Sequence, residues 1–259
     1  LGFAALIVGF LALNLFVSKG NAWGWTNPTT VGALAFFVAA MALFVPNELR
    51  HRSPIADLRM FKSKIFTGAV VANLFINSLI GILFVIQTYL QKGRGLTPMG
   101  AALLTLGYAV TVVTMIRVGE KISLRTGPRL PMVLGALCFL VMVLLLSMTS
   151  ITDNTLYFIL VFVGLAAQGV GLGMFATPAT GAAINAAPPD KAGVAGGIFK
   201  MASSLGGAFG IAVHLAIYGA VAASTQGNLH AAAMYSIGSG VVATLLAALA
   251  AFVLVPGKK

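Results

Sequence analysis

Charge is scarce in this 259-residue chain: Asp, Glu, Lys and Arg together make up 8 % of it, against about 25 % in an ordinary soluble domain. That shortage excludes a water-facing globular surface. There is one cysteine, Cys138, set inside an apolar run, which excludes a disulfide framework and a cysteine-based metal centre and leaves packing as its expected role. The three histidines, His51, His214 and His230, are far apart in sequence, and the five acids, Glu48, Asp57, Glu120, Asp153 and Asp190, all fall in loops or at the ends of apolar runs. No phosphate-binding glycine loop, metal-ligand cluster or catalytic triad is visible, so neither an enzyme nor a cofactor is expected. The chain also lacks an initial Met and a basic region ahead of its first apolar run. A secretion signal is therefore not expected, and the chain reads as a piece of a longer protein.

What is present is apolar sequence. Hydrophobic residues make up 59 % of the chain, arranged in runs long enough to cross a bilayer as helices. The expected fold is all-α, a polytopic membrane helix bundle with spans at 2–17, 31–45, 65–91, 99–116, 130–148, 157–177, 201–223 and 231–255. Trp23 and Trp25 between the first two spans suit a membrane interface. In the segment after Pro46, Ile55, Leu58 and Phe61 predict a short helix on the membrane surface. The net charge of +11 invites a nucleic-acid reading, but the basic residues lie between apolar runs rather than on one folded face, so no nucleic-acid partner is expected. They set orientation instead. With a cytoplasmic C-terminus, the inner loops hold Arg50, Arg52, Arg59, Lys62, Lys64, Arg117, Lys121, Arg125, Arg129, Lys191, Lys258 and Lys259, and the outer loops only Lys19, Lys92 and Arg94, as the positive-inside rule requires. Lys200 then lies near the cytoplasmic start of the seventh span.

The third run, 65–91, is uncharged, and its polar groups are not scattered. At 100° per residue Asn73, Asn77, Ile80, Phe84, Gln87 and Gln91 fall within about 80° of one another. Amides cannot face hydrocarbon unpaired, so this flank is expected to face other helices or a wet cavity. Two readings stay open: a hydrogen bond that holds the bundle together, worth about 0.6 kcal/mol, or a wall that meets ligand. Polarity also repeats in threes. Spans three and six are polar, four and seven intermediate, five and eight apolar, which is what two inverted three-helix repeats produce, the third member of each facing lipid.

The segment SPIADLRMFKSKIFTGA (53–69) resembles the stretch that opens the C-terminal six-helix domain of the fourteen-span drug:proton antiporters of the major facilitator superfamily. MIRVGEKI (115–122), GLGMFATPAT (171–180) and PDKAGVAGGIFKMASSLGGAFGIA (189–212) are similar to the NorB/NorC-type quinolone exporters among them. The resemblance implies that 1–46 holds two linker helices, 47–64 a cytoplasmic amphipathic loop, 65–256 the C-terminal six-helix transporter domain and 257–259 a cytoplasmic tail. It implies a missing N-terminal six-helix half, a bacterial inner-membrane location, and drug and proton as partners. Arg125, Gly127 and Arg129 keep a basic-x-Gly-x-basic loop core, while Leu124 stands where an acid is usual. With no carboxylate deep in a span, the proton carrier is expected in the missing half. His214 is the alternative, although a buried histidine bonded to a backbone carbonyl is the commoner case.

The resulting expectation is the C-terminal part of a secondary exporter of hydrophobic or cationic drugs working by alternating access. Its cavity wall would be Asn73, Asn77, Phe84, Gln87, Tyr108, Thr111, Gln168 and Phe175. Arg117, Glu120, Arg125, Arg129 and Lys200 would form a cytoplasmic rim or gate. Gly169/Gly173, Gly193/Gly197 and Gly206/Gly210 have the GxxxG spacing of close helix contacts, structural by default or sliding surfaces during transport, and Pro178 is a kink site. The alternatives are transport of another small solute and an inactive scaffold that needs its other half.

Overall fold

The computed structural model describes residues 2–24, 26–50 and 58–257. Trp25, His51, Arg52, Pro54, Ile55, Asp57, Lys258 and Lys259 lie outside them. Among the described residues there is no strand; the helices are α1 (Gly2–Trp23), α2 (Pro28–Arg50), α3 (Lys64–Ser78), α4 (Ile80–Lys92), α5 (Pro98–Leu103), α6 (Leu106–Thr126), α7 (Arg129–Leu146), α8 (Asn154–Asn185), α9 (Ala192–Ser224), α10 (Leu229–Gly238) and α11 (Gly240–Leu254). The protein is an all-α polytopic bundle. Among the described residues seven spans are long and apolar enough to cross a membrane, from Pro28–Pro46 to Leu229–Leu254. The first expected span, 2–17, falls in α1, whose described apolar portion, Ile7–Phe16, is shorter.

The starts and stops have local causes. Asp153 caps α8 by accepting from the Thr155 and Leu156 amides at 2.8 and 3.3 Å, and Asn228 caps α10 through the Ala231 amide at 3.0 Å, each satisfying a first-turn N–H that has no helical partner. Gly127, at φ +83°, ends α6 in a conformation that favours glycine. In place of the expected surface helix, a 3₁₀ turn covers Leu58–Lys62. Its Phe61 ring meets Phe66 edge-on at 5.3 Å. Two helices outrun their expected spans, since α8 continues to Asn185 and α9 begins at Ala192. Helical hydrogen bonding does not stop at the membrane boundary, and α9 begins only where Pro188 and Pro189 forbid a continuous helix. Likewise α2 runs through Pro46 to Arg50.

Three spans are broken along their length, near the middle at Leu79 and Ser239 and one short helix in from the start at 104–105. Each break carries a hydroxyl bonded back to a carbonyl three residues earlier: Ser78 to Phe75 (2.7 Å), Thr105 to Ala102 (2.6 Å) and Ser239 to Ser236 (2.7 Å). A side chain that binds its own helix in this way competes with the main-chain ladder and bends it. The amide-bearing run 65–91 is therefore two helices, α3 and α4.

Packing centres on two seams. In one, α8 lies between α6 and α7; in the other, α3 lies between α9 and α11. Both depend on missing side chains. A Cβ on Gly206 would strike the Leu74 carbonyl, one on Gly210 the Ser78 carbonyl, and one on Gly81 the Gly210 carbonyl, so α9 crosses the α3–α4 joint backbone against backbone. Gly169 and Gly173 are equally tight against Thr111 and Met115 of α6. Gly193 and Gly197 meet nothing within 4 Å, so the expected contact is not made within the described residues. Pro178 sits inside an uninterrupted α8. The third member of each expected repeat exposes one apolar side, Leu134, Leu137, Val141 and Leu144 on α7 and Val242, Leu245, Leu249, Phe252 and Val253 on α11. The most exposed span is instead Pro98–Thr126, 11 % buried over its apolar window against 61 % for Lys64–Lys92.

Candidate functional site

The polar flank of 65–91 divides at Leu79 into two parts with different surroundings. On α3, the Asn73 side chain is 5 % exposed; its Nδ2 donates to the Phe199 carbonyl at 2.9 Å and to Ser203 Oγ at 2.7 Å. These bonds join α3 to α9, which is the bundle-holding reading of the flank. Asn77, half-buried, donates only within its own helix, to Asn73 Oδ1 at 2.9 Å and to the Asn73 carbonyl at 2.8 Å. It ties no helix to another. On α4, Phe84 is 50 % exposed and Gln87 Nε2 donates to the Ala101 carbonyl of α5 at 3.3 Å. Here a groove of about 600 Å³ opens along Leu83, Phe84, Gln87, Thr88, Gln91 and Lys92.

A larger cavity, about 930 Å³, lies between α1 and α9. Phe10, Asn14, Leu74, Ser204 and Phe209 line it, and Lys200 is its one charged lining residue. Leu74 stands one turn before Asn77 on the same side of α3. The sequence placed Lys200 at a rim; the part of α1 in this wall carried no signal beyond its hydrophobicity.

The remaining expected wall residues gather elsewhere. Thr111 Oγ1 lies 2.7 Å from the Gly107 carbonyl and 2.9 Å from that of Ala166, which makes it a tie between α6 and α8. Tyr108 borders the same tie: a Cβ on Gly169 would meet its carbonyl oxygen at 2.5 Å. Phe175 is 1 % exposed and packs on α7, its Cβ 3.0 Å from where a Cβ on Gly135 would sit. Gln168 is buried with no partner for Oε1 among the described residues. None of the four lines the groove or the cavity. Of the expected rim, Arg117, Glu120 and Arg125 are exposed along α6, while the Arg129 guanidinium stacks over the Phe252 ring at 4.0 Å. His214 is buried, with Nδ1 2.8 Å from the Gly210 carbonyl, the backbone-bonded arrangement that buried histidines commonly adopt. Cys138 is a packing residue, its Cβ 3.2 Å from where one on Gly171 would stand. One cluster went unread: Arg94, expected only as an orienting charge, binds Tyr89, Asn154 and two loop carbonyls, and Tyr89 binds His230.

The family model of the Major Facilitator Superfamily matches residues 1–211. The chain belongs to the major facilitator superfamily. Members of this superfamily are membrane transporters and not enzymes, in agreement with the apolar spans. The chain is 39 % identical over 236 residues to quinolone resistance protein NorB of Staphylococcus aureus strain JH9, covering 91 % of this chain and 50 % of that protein. It is 38 % identical over 255 residues to NorB of the bovine strain RF122, covering 98 % of this chain and 54 % of that protein. The chain thus spans about half the length of the curated relatives it matches. As a superfamily chain, it presents three candidate sites: the amide tie, the α4 groove and the largely apolar α1–α9 cavity.

Proposed function

We propose that this chain is the C-terminal part of a secondary active exporter of amphiphilic drugs, quinolones among them. Two linker helices precede its six-helix transporter domain, the C-terminus lies in the cytoplasm, and the protein resides in the bacterial inner membrane. The observation that carries the reading is the division of the amide flank. Asn73 is consumed in holding α3 to α9, whereas Asn77 crosses to no other helix and Phe84 and Gln87 open onto a groove. An aromatic ring beside amides suits flat drugs by stacking and apolar contact without demanding one shape. Quinolone resistance in relatives of 39 % identity supports the substrate class.

The substrate-contacting set is therefore Asn77, Phe84 and Gln87, with Lys200 at the α1–α9 cavity. An ammonium group in an otherwise apolar wall complements a carboxylate on an aromatic drug. A purely cationic drug would need an acid other than Glu120, Asp153 and Asp190, which are all exposed. We likewise assign the coupling proton to a residue outside this chain: His214 holds the Gly210 carbonyl through Nδ1, and its Nε2 is buried with no partner among the described residues to pass a proton to or from it. The complementary N-terminal half supplies that residue and the facing wall.

The test is thiol labelling of the full-length transporter in a Cys138→Ser background. Single cysteines at Asn77, Phe84 and Gln87 should react with a membrane-impermeant maleimide and be protected by a quinolone. If reagent from water leaves all three untouched in every condition, while a lipid-dissolved reagent modifies them, the assignment fails.

A further inference from the structure

Arg94, in the turn after α4, is half-buried at the end of the bundle opposite the C-terminus, and carboxylates play no part in its bonding. Its Nε donates to the Tyr89 hydroxyl oxygen at 2.8 Å, Nη1 to Asn154 Oδ1 at 2.9 Å, and Nη2 to the carbonyls of Thr149 and Ile151 at 2.7 and 2.6 Å. The guanidinium lies 4.6 Å from the centre of the Tyr157 ring. Tyr89 is fully buried and stands edge-on to Tyr157 and to His230. The shortest contact of its hydroxyl is to His230 Nδ1, at 2.6 Å. The Thr149 hydroxyl closes the circuit on the His230 carbonyl at 2.8 Å. Three pieces of chain distant in sequence are thereby clasped: the end of α4 with the turn after it, the α7–α8 turn and the first turn of α10.

The proton positions follow from the donors. Arg94 can only donate, so the Tyr89 oxygen accepts from it and its hydroxyl hydrogen is free to point at His230. With that hydrogen directed at the ring, Nδ1 of His230 is the acceptor in the 2.6 Å contact, the role it takes in the tautomer that carries its proton on Nε2. His230 is exposed, so a proton can reach the ring from water. The charged and titratable groups at this end, taken from each element that packs there, are Tyr89 and Lys92 of α4, Arg94, Asp153 and Tyr157 at the start of α8, and Tyr218 of α9. Lys92 and Arg94 are cations. Asp153, the one acid, already receives the Thr155 and Leu156 amides.

We propose that His230 Nδ1 is a proton-binding site, and that taking up a proton there releases the clasp that ties α4, the α7–α8 turn and α10 together. A proton on Nδ1 turns the ring from acceptor to donor. The Tyr89 hydroxyl hydrogen must then turn toward the Thr149 carbonyl, which is 3.4 Å away and already holds Arg94. An imidazolium and a guanidinium would share one neutral oxygen, and like charges at that range oppose each other. The clasp is therefore closed with neutral His230 and weakened as pH falls. This reading is independent of what the transporter carries.

The experiment is hydrogen exchange by mass spectrometry on the full-length protein in nanodiscs at pH 8 and pH 5.5, with rates corrected for the intrinsic pH dependence of exchange. The Thr149, Ile151 and Ala232 amides are bonded within the clasped turns, and their protection should fall about tenfold at the lower pH, the factor expected for one lost hydrogen bond. In His230→Asn, whose Oδ1 can accept the Tyr89 hydrogen without titrating, protection should stay high at both values. In His230→Lys it should be low at both. An unchanged wild-type profile, or a full pH response in His230→Asn, overturns the proposal. A His230→Asn protein with low protection at both pH values would also overturn it, because accepting the Tyr89 hydrogen would then not suffice to close the clasp.

Discussion

Replacing Asn73 or Asn77 by Ala separates the two readings of the amide flank. Asn73→Ala removes two bonds between α3 and α9, at 2.9 and 2.7 Å. Interhelical hydrogen bonds in membrane proteins average about 0.6 kcal/mol and reach about 1.7, so the loss should be about 1.2 kcal/mol and at most about 3.4. The lower figure is a factor of about seven in the folding equilibrium. The orphaned groups limit the damage, since Ser203 Oγ keeps a 3.3 Å contact to the Phe199 carbonyl. Asn77→Ala removes bonds within one helix and leaves the α3–α9 tie intact, so stability should change by about 0.5 kcal/mol or less. Unfolding in mixed detergent–SDS micelles, followed by circular dichroism, gives both numbers, and drug accumulation in cells carrying each full-length variant at equal expression gives the functional side. Asn73→Ala should lose stability, and Asn77→Ala should lose efflux of some drugs while keeping its fold. Equal destabilisation by the two substitutions, or unchanged resistance to every drug in Asn77→Ala, would refute the division of labour.

Two further outcomes are expected. Gly210→Ala places a methyl group on the Ser78 carbonyl and should cost about 3 kcal/mol or more by overpacking, whereas Gly193→Ala, with nothing within 4 Å, should be neutral or stabilise by up to about 1 kcal/mol through helix propensity; the same unfolding assay compares them. His214→Ala should leave the proposed proton coupling in place, measured as ΔpH-driven flux in proteoliposomes of the full-length protein, because the ring holds the Gly210 carbonyl through Nδ1 and its buried Nε2 meets no polar partner among the described residues; loss of coupling with drug binding preserved would show that His214 carries the proton.

Much of the helical architecture was legible in the sequence because hydrophobic length and small-residue spacing are local signals. Gly169/Gly173 and Gly206/Gly210 read as close contacts and are close contacts. Gly193/Gly197 has the same spacing without the contact, since spacing reports that a helix can be approached and not that a neighbour arrives. The break at Leu79 was missed because Ser78 in an apolar run looks like any tolerated small polar residue until its hydroxyl is seen on the Phe75 carbonyl. Thr111 and Phe175 were grouped with the cavity on polarity and helical face, but only the neighbouring helices decide which face is covered. The Arg94 clasp was least accessible, for Tyr89 and Arg94, Thr149 and Asn154, and His230 come from three separate stretches of chain and match no motif.

The crossing of α9 over the α3–α4 joint has a mechanical consequence. Where carbonyl oxygens rest directly on glycine Cα atoms, there are no side chains to change rotamer and absorb a displacement. The two helices therefore cannot slip past each other by small steps and should travel as one rigid piece. Any bending along these spans is then left to the softened points away from the crossing, Thr105 and Ser239.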